Sequence, residues 1–323
     1  GKRAGLPSGI SRALEGMYKQ LQRRFKLGKF VGTAFVSTNG ILQGCPLSVV
    51  LLNVYVQIWV NLLADKVPQA RPKAYADDMQ ISVGECRYLE EALTITGDYA
   101  VDTGMELNVG KSHAWGTTKE MRTQVSALSV NGEAIPVHNQ DRNLGAHLSF
   151  NKRRVKTTMD HKLGACGRIA SRVESLPVRL ETRAHMVSGL LVPKATYGSA
   201  ATPPSKATLS KARAMSAKSI WGNKFRWRAP EILFTIFCAG HLCDPEQASA
   251  YQTLVVARRV LARHPELWDT FAAVFDTRAA TEARVGGPVA ALLSASQKAG
   301  INWVPGGKIV FSHMPEKTFD FIF

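Results

Sequence analysis

Residues 74 to 81 read AYADDMQI, with Asp77 and Asp78 side by side in a stretch that carries no other charge. Adjacent carboxylates repel, so a chain that keeps them together calls for positive charge nearby. One reading is purely structural, because an Asp side chain bonds the backbone in β-turns. The other is metal binding. Hard carboxylate oxygens suit Mg²⁺, which binds through one or two carboxylates plus substrate phosphates. Two such ions about 3.5–4 Å apart clamp the attacking and leaving oxygens of a phosphoryl transfer. Successive residues at a hairpin tip point to different sides, so one Asp can face a cleft while its neighbour supports it. A two-ion site also asks for a further carboxylate from another strand.

The elements that would position this pair follow from periodicity and turn residues. Leu14, Met17, Tyr18, Leu21 and Phe25 line one side of a helix expected over 10–28, and FVGTAFVS (30–37) reads as a strand. From Phe30 to Ala64 no residue is charged, and Leu47 to Ala64 is long enough to span a bilayer. However, Asn53, Gln57 and Asn61 recur every four residues, which places three amides on one helical face. The spacing predicts a buried helix over 47–64, started by Pro46, with a polar stripe facing a site. Residues 72–83 read as strand, tight turn, strand, with the turn at Asp77-Asp78. A helix over 87–103 ends at Gly104, and 105–116 reads as extended. Asn131-Gly132 between short apolar runs predicts a hairpin within 125–137. NLGAHLSF (143–150) is a strand. After Asn151 helical periodicity takes over, near 155–175, 179–191, 206–221, 229–238, 245–263 and 287–299.

The chain has 323 residues and a formal net charge of +16, which points to a polyanionic partner. Residues 1–64 hold eight Lys/Arg and one acid, Glu15, and residues 152–230 hold seventeen Lys/Arg and three acids. Both stretches mix charge with apolar residues, so they read as folded basic faces rather than tails. Lys152, Arg153, Arg154 and Lys156 head the second stretch and are candidates for gripping a nucleic-acid backbone, which would make binding sequence-independent and salt-sensitive. In WGNKFRWRAP (221–230) cations alternate with aromatics that could stack on bases; a solvated helix end is the other reading. Five cysteines at irregular spacing suggest no disulfide framework and an intracellular setting, nuclear or cytoplasmic, not secreted. Cys238, His241 and Cys243 lie close in sequence. They lack the second ligand pair of a zinc site, so buried cysteines in a helical core is the better reading. A full Walker-type loop (GxxxxGK[ST]), GxSxG and HExxH are all absent.

The order of short motifs resembles a reverse transcriptase palm, and most closely that of non-LTR retrotransposons. GILQGCPLS (40–48) is similar to the family's Gln-Gly segment, and AYADD (74–78) to its metal-binding hairpin. TGMELNVGKS (103–112) is similar to the next motif, and NLGAHLSF to the primer-grip pair with the Leu-Gly of the non-LTR lineage. LVPKATYGSA (191–200) resembles the helical segment downstream. Val49 follows Ser48 where the family usually has Pro. The resemblance covers about residues 1–220 and implies an α+β fold: a partial right-hand polymerase palm over 1–150, a helical thumb and nucleic-acid grip over 151–230, and a C-terminal helical region over 231–323.

The resemblance also implies an activity and its residues. The activity would be RNA-directed DNA polymerisation, extending a DNA primer on an RNA template from deoxynucleoside triphosphates with Mg²⁺ or Mn²⁺. Asp77 would be the main metal ligand and Asp78 its partner. Tyr75 would lie near the primer end, Gln43 and Gly44 beside the incoming nucleotide and template, and Leu144 and Gly145 against the primer backbone. Lys111 would be an acid for the leaving pyrophosphate; a surface lysine at a strand end is the other reading. The family's third carboxylate precedes the Gln-Gly motif, but no Asp occurs here before Asp65. The expectation is therefore a chain that lacks the first palm strand and the fingers, belongs to a longer polyprotein, and is inactive alone. The alternatives are a degenerate nucleic-acid-binding remnant and a palm-derived splicing scaffold.

Overall fold

The computed structural model describes residues 7–19, 21–36, 44–150, 158–222, 229–273, 287–304 and 308–321. They form two compact units, 1–137 and 138–323. The hairpin around residue 145, expected with the first part, thus belongs to the second.

In the first unit a helix spans Ser8–Lys19. The helix expected to reach residue 28 stops there, because the next residues form two small antiparallel ladders instead. Gln22–Arg23 pairs with Phe35–Val36, and Lys26–Leu27 pairs with Phe30–Val31. Gly28, at φ +60, permits the tight inner turn. Phe25 stacks on Phe35 with ring centroids 5.2 Å apart, which uses the aromatic that would have extended the helical stripe.

The uncharged stretch forms the helix Pro46–Lys66, with Pro46 in its first turn. Its Trp59 and Leu63 are fully buried. Across from it lies the helix Cys86–Thr103, closed by Gly104 in the left-handed conformation, whose N–H reaches the Ala100 and Val101 carbonyls. Two hydrogen bonds join the helices. The Trp59 indole N–H donates to the Thr96 hydroxyl at 3.0 Å, and the Tyr99 hydroxyl donates to the Tyr55 carbonyl at 2.6 Å. Met79, Ile81 and Val83 complete this core.

The expectation of a buried helix over 47–64 is corrected here. Only one stripe of it is covered by the hairpin and its neighbouring helix. Leu47, Val49, Val50, Tyr55 and Ile58 are exposed, as are the amides Asn53, Gln57 and Asn61. Gln57 donates to Asn61 at 2.8 Å. By length and composition the helix could cross a membrane, but the amide stripe runs along it.

Beyond Gly104 the chain makes a 3₁₀ turn at Val109–Lys111, a short helix Lys119–Val125 and a hairpin pairing Ser129–Val130 with Glu133–Ala134. The expected Asn-Gly turn is present: Asn131 and Gly132 have φ of 51° and 82°, both positive as a type I′ turn requires. Val109, Val130 and Ile135 form a small core beneath them.

The second unit opens with a hairpin pairing Gln140–Asn143 with Ala146–Ser149. Helices follow at Thr158–Ser175, Leu180–Met186, Val192–Thr196, Lys206–Trp221 and Pro245–Arg263. A five-residue π-helical segment, Val187–Leu191, joins the second and third of these. Cys166, Val173, Val187, Leu191, Ile220 and Phe234 are among the residues of the main core. At its edge Arg213 donates to the buried Asp244 carboxylate at 2.8 Å. Asp244 also caps the helix that follows by accepting from the Glu246 N–H at 3.0 Å.

The C-terminal region is not wholly helical, as had been expected. After the helix Gly287–Lys298 come three antiparallel strands, Ile301–Val304, Lys308–Phe311 and Met314–Asp320. Ile301, Ile309 and Phe321 pack there with Leu261 and Leu292. These strands are short and rich in β-branched and aromatic residues. Their pairing with one another, rather than any helical stripe, decides the local structure.

Replacing Trp59 by Ala removes the largest fully buried side chain of the first unit and one of the hydrogen bonds joining its helices. We expect a loss of about 3–5 kcal/mol in stability, measured by chemical denaturation followed by circular dichroism.

Candidate active site

Arg71–Tyr75 and Asp78–Ser82 pair antiparallel in a register that sets Tyr75 opposite Asp78, Ala74 opposite Met79 and Pro72 opposite Ile81. Residues directly opposite share a face, and side chains alternate along each strand. One face therefore carries Pro72, Ala74, Met79 and Ile81; of these, Met79 and Ile81 pack on the Trp59 core. The other face carries Arg71, Lys73, Tyr75, Asp78, Gln80 and Ser82. A slip of one residue would drive Asp78 into the core and Met79 into water. The burial of Met79 and Ile81 thus fixes where Asp78 points.

The turn falls one residue earlier than expected. Its two central residues are Ala76 and Asp77, and Asp78 already belongs to the second strand. Ala76 takes φ +54, the sign required at the first central position of a type II′ turn, where Gly is usual. A left-handed conformation costs an L-residue about 1–2 kcal/mol. Asp77 and Asp78 are both exposed. Among the described residues, neither carboxylate makes a side-chain hydrogen bond or ion pair. The structural-turn reading, in which an Asp side chain bonds the local backbone, is therefore not what holds this tip. Four carboxylate oxygens are available to a hard cation beside the exposed ring of Tyr75.

The other expected residues are placed as follows. Gly44 has φ +88 and is exposed just before the helix Pro46–Lys66. Lys111 ends the 3₁₀ turn. Its backbone N–H is held by the Asn108 side chain at 3.0 Å, and its own side chain is exposed. Among the described residues no hydrogen bond or ion pair joins Lys111 to the Asp hairpin. The structure brings together Tyr75, Asp77 and Asp78, and leaves Gly44 and Lys111 on separate elements. Gln43, Lys152, Arg153, Arg154 and Lys156 lie outside the described residues, as does 223–228 of the aromatic and basic stretch.

Leu144 and Gly145 form the tip of the first hairpin of the second unit. Both have positive φ, 46° and 81°, so they make a turn rather than lie within a strand. The Tyr197 hydroxyl donates to the Leu144 carbonyl. A Cβ on Gly145 would lie 3.2 Å from the Tyr197 ring. Glycine is thus required there both by φ and by close approach.

Cys238, His241 and Cys243 do not converge as metal ligands. Cys243 is buried and its thiol faces the Ala184 carbonyl at 3.6 Å. Burial, with Cys238 and Asp244 adding to it, pushes that thiol up to about 12. The exposed His241 ring instead meets Tyr251 edge-on. All five cysteines are free.

The stretch that contains the Asp hairpin, Gly44 and Lys111 has a family signature. Residues 8–131 match the family model for reverse transcriptase (RNA-dependent DNA polymerase). No curated protein matches the chain. At the level of the family, the matched stretch supports RNA-directed DNA polymerase activity and implies template, primer and nucleotide substrates together with divalent metal ions. The described parts of the chain agree with an α+β class of helices and small antiparallel sheets.

Two turns with costly conformations can be tested directly. Ala76→Gly should raise the stability of the first unit by about 1 kcal/mol, because glycine adopts positive φ without steric cost. Gly145→Ala should lower the stability of the second unit by about 1–2 kcal/mol. Thermal unfolding of each variant measures both effects.

Proposed function

We propose that this chain is the polymerase part of a non-LTR type retroelement, and that Asp77 and Asp78 hold the catalytic Mg²⁺ or Mn²⁺. The observation that carries this reading is the pair of exposed carboxylates, without side-chain partners, at a hairpin tip inside the matched stretch. The donor set fits a hard cation shared with substrate phosphates. The ion, when bound, neutralises charge developing on the phosphoryl oxygens and lowers the barrier to attack by the primer 3′-hydroxyl. The residues supply position. The hairpin register directs Asp78 away from the core and leaves Asp77 at the tip, while Tyr75 offers an exposed ring beside them for the primer end. Gly44 permits close backbone approach by nucleotide or template. Lys111 is the residue assigned to protonate the leaving pyrophosphate. In the second unit, the turn at Leu144–Gly145 is assigned to the primer backbone. The assignments to palm, thumb and primer grip belong to this same reading.

A binding-only remnant is the second reading. Residues 1–64 contain no Asp, so Asp77 and Asp78 are the only Asp residues that this reading of the matched motifs assigns to the ion. Primer extension on an RNA template separates the two readings. Incorporation that depends on Asp77 supports the enzyme, whereas duplex binding without incorporation supports the remnant.

Metal binding tests the site without requiring turnover. Titration of Mn²⁺ followed by its electron paramagnetic resonance signal should show one ion bound per chain. Asp77→Asn and Asp78→Asn should each weaken binding at least tenfold. Binding unchanged in both variants overturns the assignment.

A further inference from the structure

A second group of charged side chains surrounds the Leu144–Gly145 turn, and all of it lies within the second unit. Arg142 and His147 are direct cross-strand partners in the hairpin, an arrangement that is destabilising between like charges. The His147 ring stacks on His161 with centroids 4.0 Å apart and planes 10° apart. The next residue, Lys162, places its ammonium 3.9 Å above the Tyr197 ring. That ring covers Gly145, and its hydroxyl holds the Leu144 carbonyl. The Arg142 guanidinium also lies over the turn, 3.6 Å from where a Gly145 Cβ would be.

The backbone of His147 is fixed on both sides. Its N–H donates to the Thr158 hydroxyl, and its carbonyl accepts from Thr202, both at 2.7 Å. The ring has its own tie: its Nδ1 lies 3.3 Å from the Thr158 hydroxyl, which helps hold the imidazole beside its cationic neighbours.

The charges strain one another. Burial lowers the basicity of His147, and His161, Arg142 and Lys162 lower it further, with Asp141 opposing them in part. Burial likewise lowers that of Lys162, with Arg142 and then Lys194 adding to it, while Cys166 pulls the other way. A depressed histidine is neutral near pH 7 and resists protonation as pH falls. An anion placed among these groups reverses that balance by favouring their charged forms.

We propose that Arg142, His147, His161 and Lys162 form one phosphate-binding patch around the Leu144–Gly145 turn, that it takes the sugar–phosphate backbone of nucleic acid, and that binding draws a proton onto the His147 imidazole. The patch is open, with Arg142, His161 and Lys194 exposed, which suits a chain of phosphates passing over it rather than an enclosed small anion. Lys152, Arg153, Arg154 and Lys156 immediately precede the Thr158–Ser175 helix in sequence. The inference deepens the proposed polymerase reading by naming what grips the primer-template backbone, but it does not depend on the Asp pair.

By linkage, uptake of a proton on binding makes affinity rise as pH falls through the histidine range. The test uses the full chain and a fluorescent 16-base-pair RNA–DNA duplex, with EDTA present and no nucleotide, so the Asp77 site plays no part. Fluorescence anisotropy at about 0.1 M salt should show Arg142→Gln and Lys162→Gln each binding about fivefold to tenfold more weakly. Each should reduce the slope of log affinity against log salt by about 1. Lys211→Gln, an exposed substitution on the Lys206–Trp221 helix, should change neither. Wild-type affinity should rise between pH 7.5 and pH 5.5, and the rise should shrink in His147→Gln. Circular dichroism confirms that the variants fold, and Lys194→Gln provides a second, exposed probe, expected to weaken binding in the same direction. The proposal is overturned if folded Arg142→Gln, Lys162→Gln and Lys194→Gln all bind with wild-type affinity and slope. It is also overturned if the chain binds vesicles rich in phosphatidylserine but not the duplex. Loss of Mn²⁺ binding at Asp77 with duplex binding intact would remove the polymerase reading and leave this one standing.

Discussion

The position of the two carboxylates depends on the packing around Trp59. This indole is fully buried and hydrogen-bonded to Thr96, which joins the long apolar helix to the Cys86–Thr103 helix. Against that pair lie Met79 and Ile81 from one face of the hairpin. The chain also leaves the long helix with little freedom. The Val67 N–H bonds the Leu63 carbonyl, and the Ala70 N–H bonds the Val67 carbonyl at 2.9 Å, and the first strand begins at the next residue. Strand entry and strand face are both set by buried apolar contacts. Because the side-chain period of a strand is two, those contacts leave a single side for Asp78.

Among the described residues, the three turns with positive φ at a non-glycine residue separate by role. Asn131, beside Gly132, is the combination that a type I′ hairpin prefers, and it closes a hairpin above a small core. Ala76 and Leu144 are residues that pay a steric cost for the same geometry. Both lie at the tips assigned to metal and to primer. Strain kept at such a position is held by its surroundings: at Leu144 the Tyr197 hydroxyl clasps the carbonyl, and at Ala76 the flanking strands pair through five residues on each side. A tip held in this way presents its groups in one geometry, which is what a site for a small cation or a phosphate requires.

Much of the second half was legible as helix, since apolar residues recur there at helical spacing. The Asp hairpin and the Asn-Gly hairpin were legible from turn chemistry. The exact turn was not, because Ala at positive φ has no signal in composition. The end of the first helix was lost because Phe25 continues a helical stripe but stacks on Phe35 instead. The exposed face of the Pro46–Lys66 helix was misread as buried, since an uncharged run looks the same whether or not a partner covers it. The group around Tyr197 was invisible for a different reason. It joins residues from 142, 147, 161, 162 and 197, which only tertiary contacts bring together. The motif NLGAHLSF marked its turn, but not the histidine stack or the lysine over the ring.

The central claim is that the hairpin tip, positioned by its buried face, is where a divalent cation binds. Nuclear magnetic resonance of the isotope-labelled chain tests it most directly. Mn²⁺ is added in substoichiometric steps and signal loss is followed along the hairpin. The account predicts that amides of residues 75–79 broaden first, while those of Ala70 and Val83 at the base persist. Broadening that is even along the hairpin, or centred on residues outside it, would contradict the account.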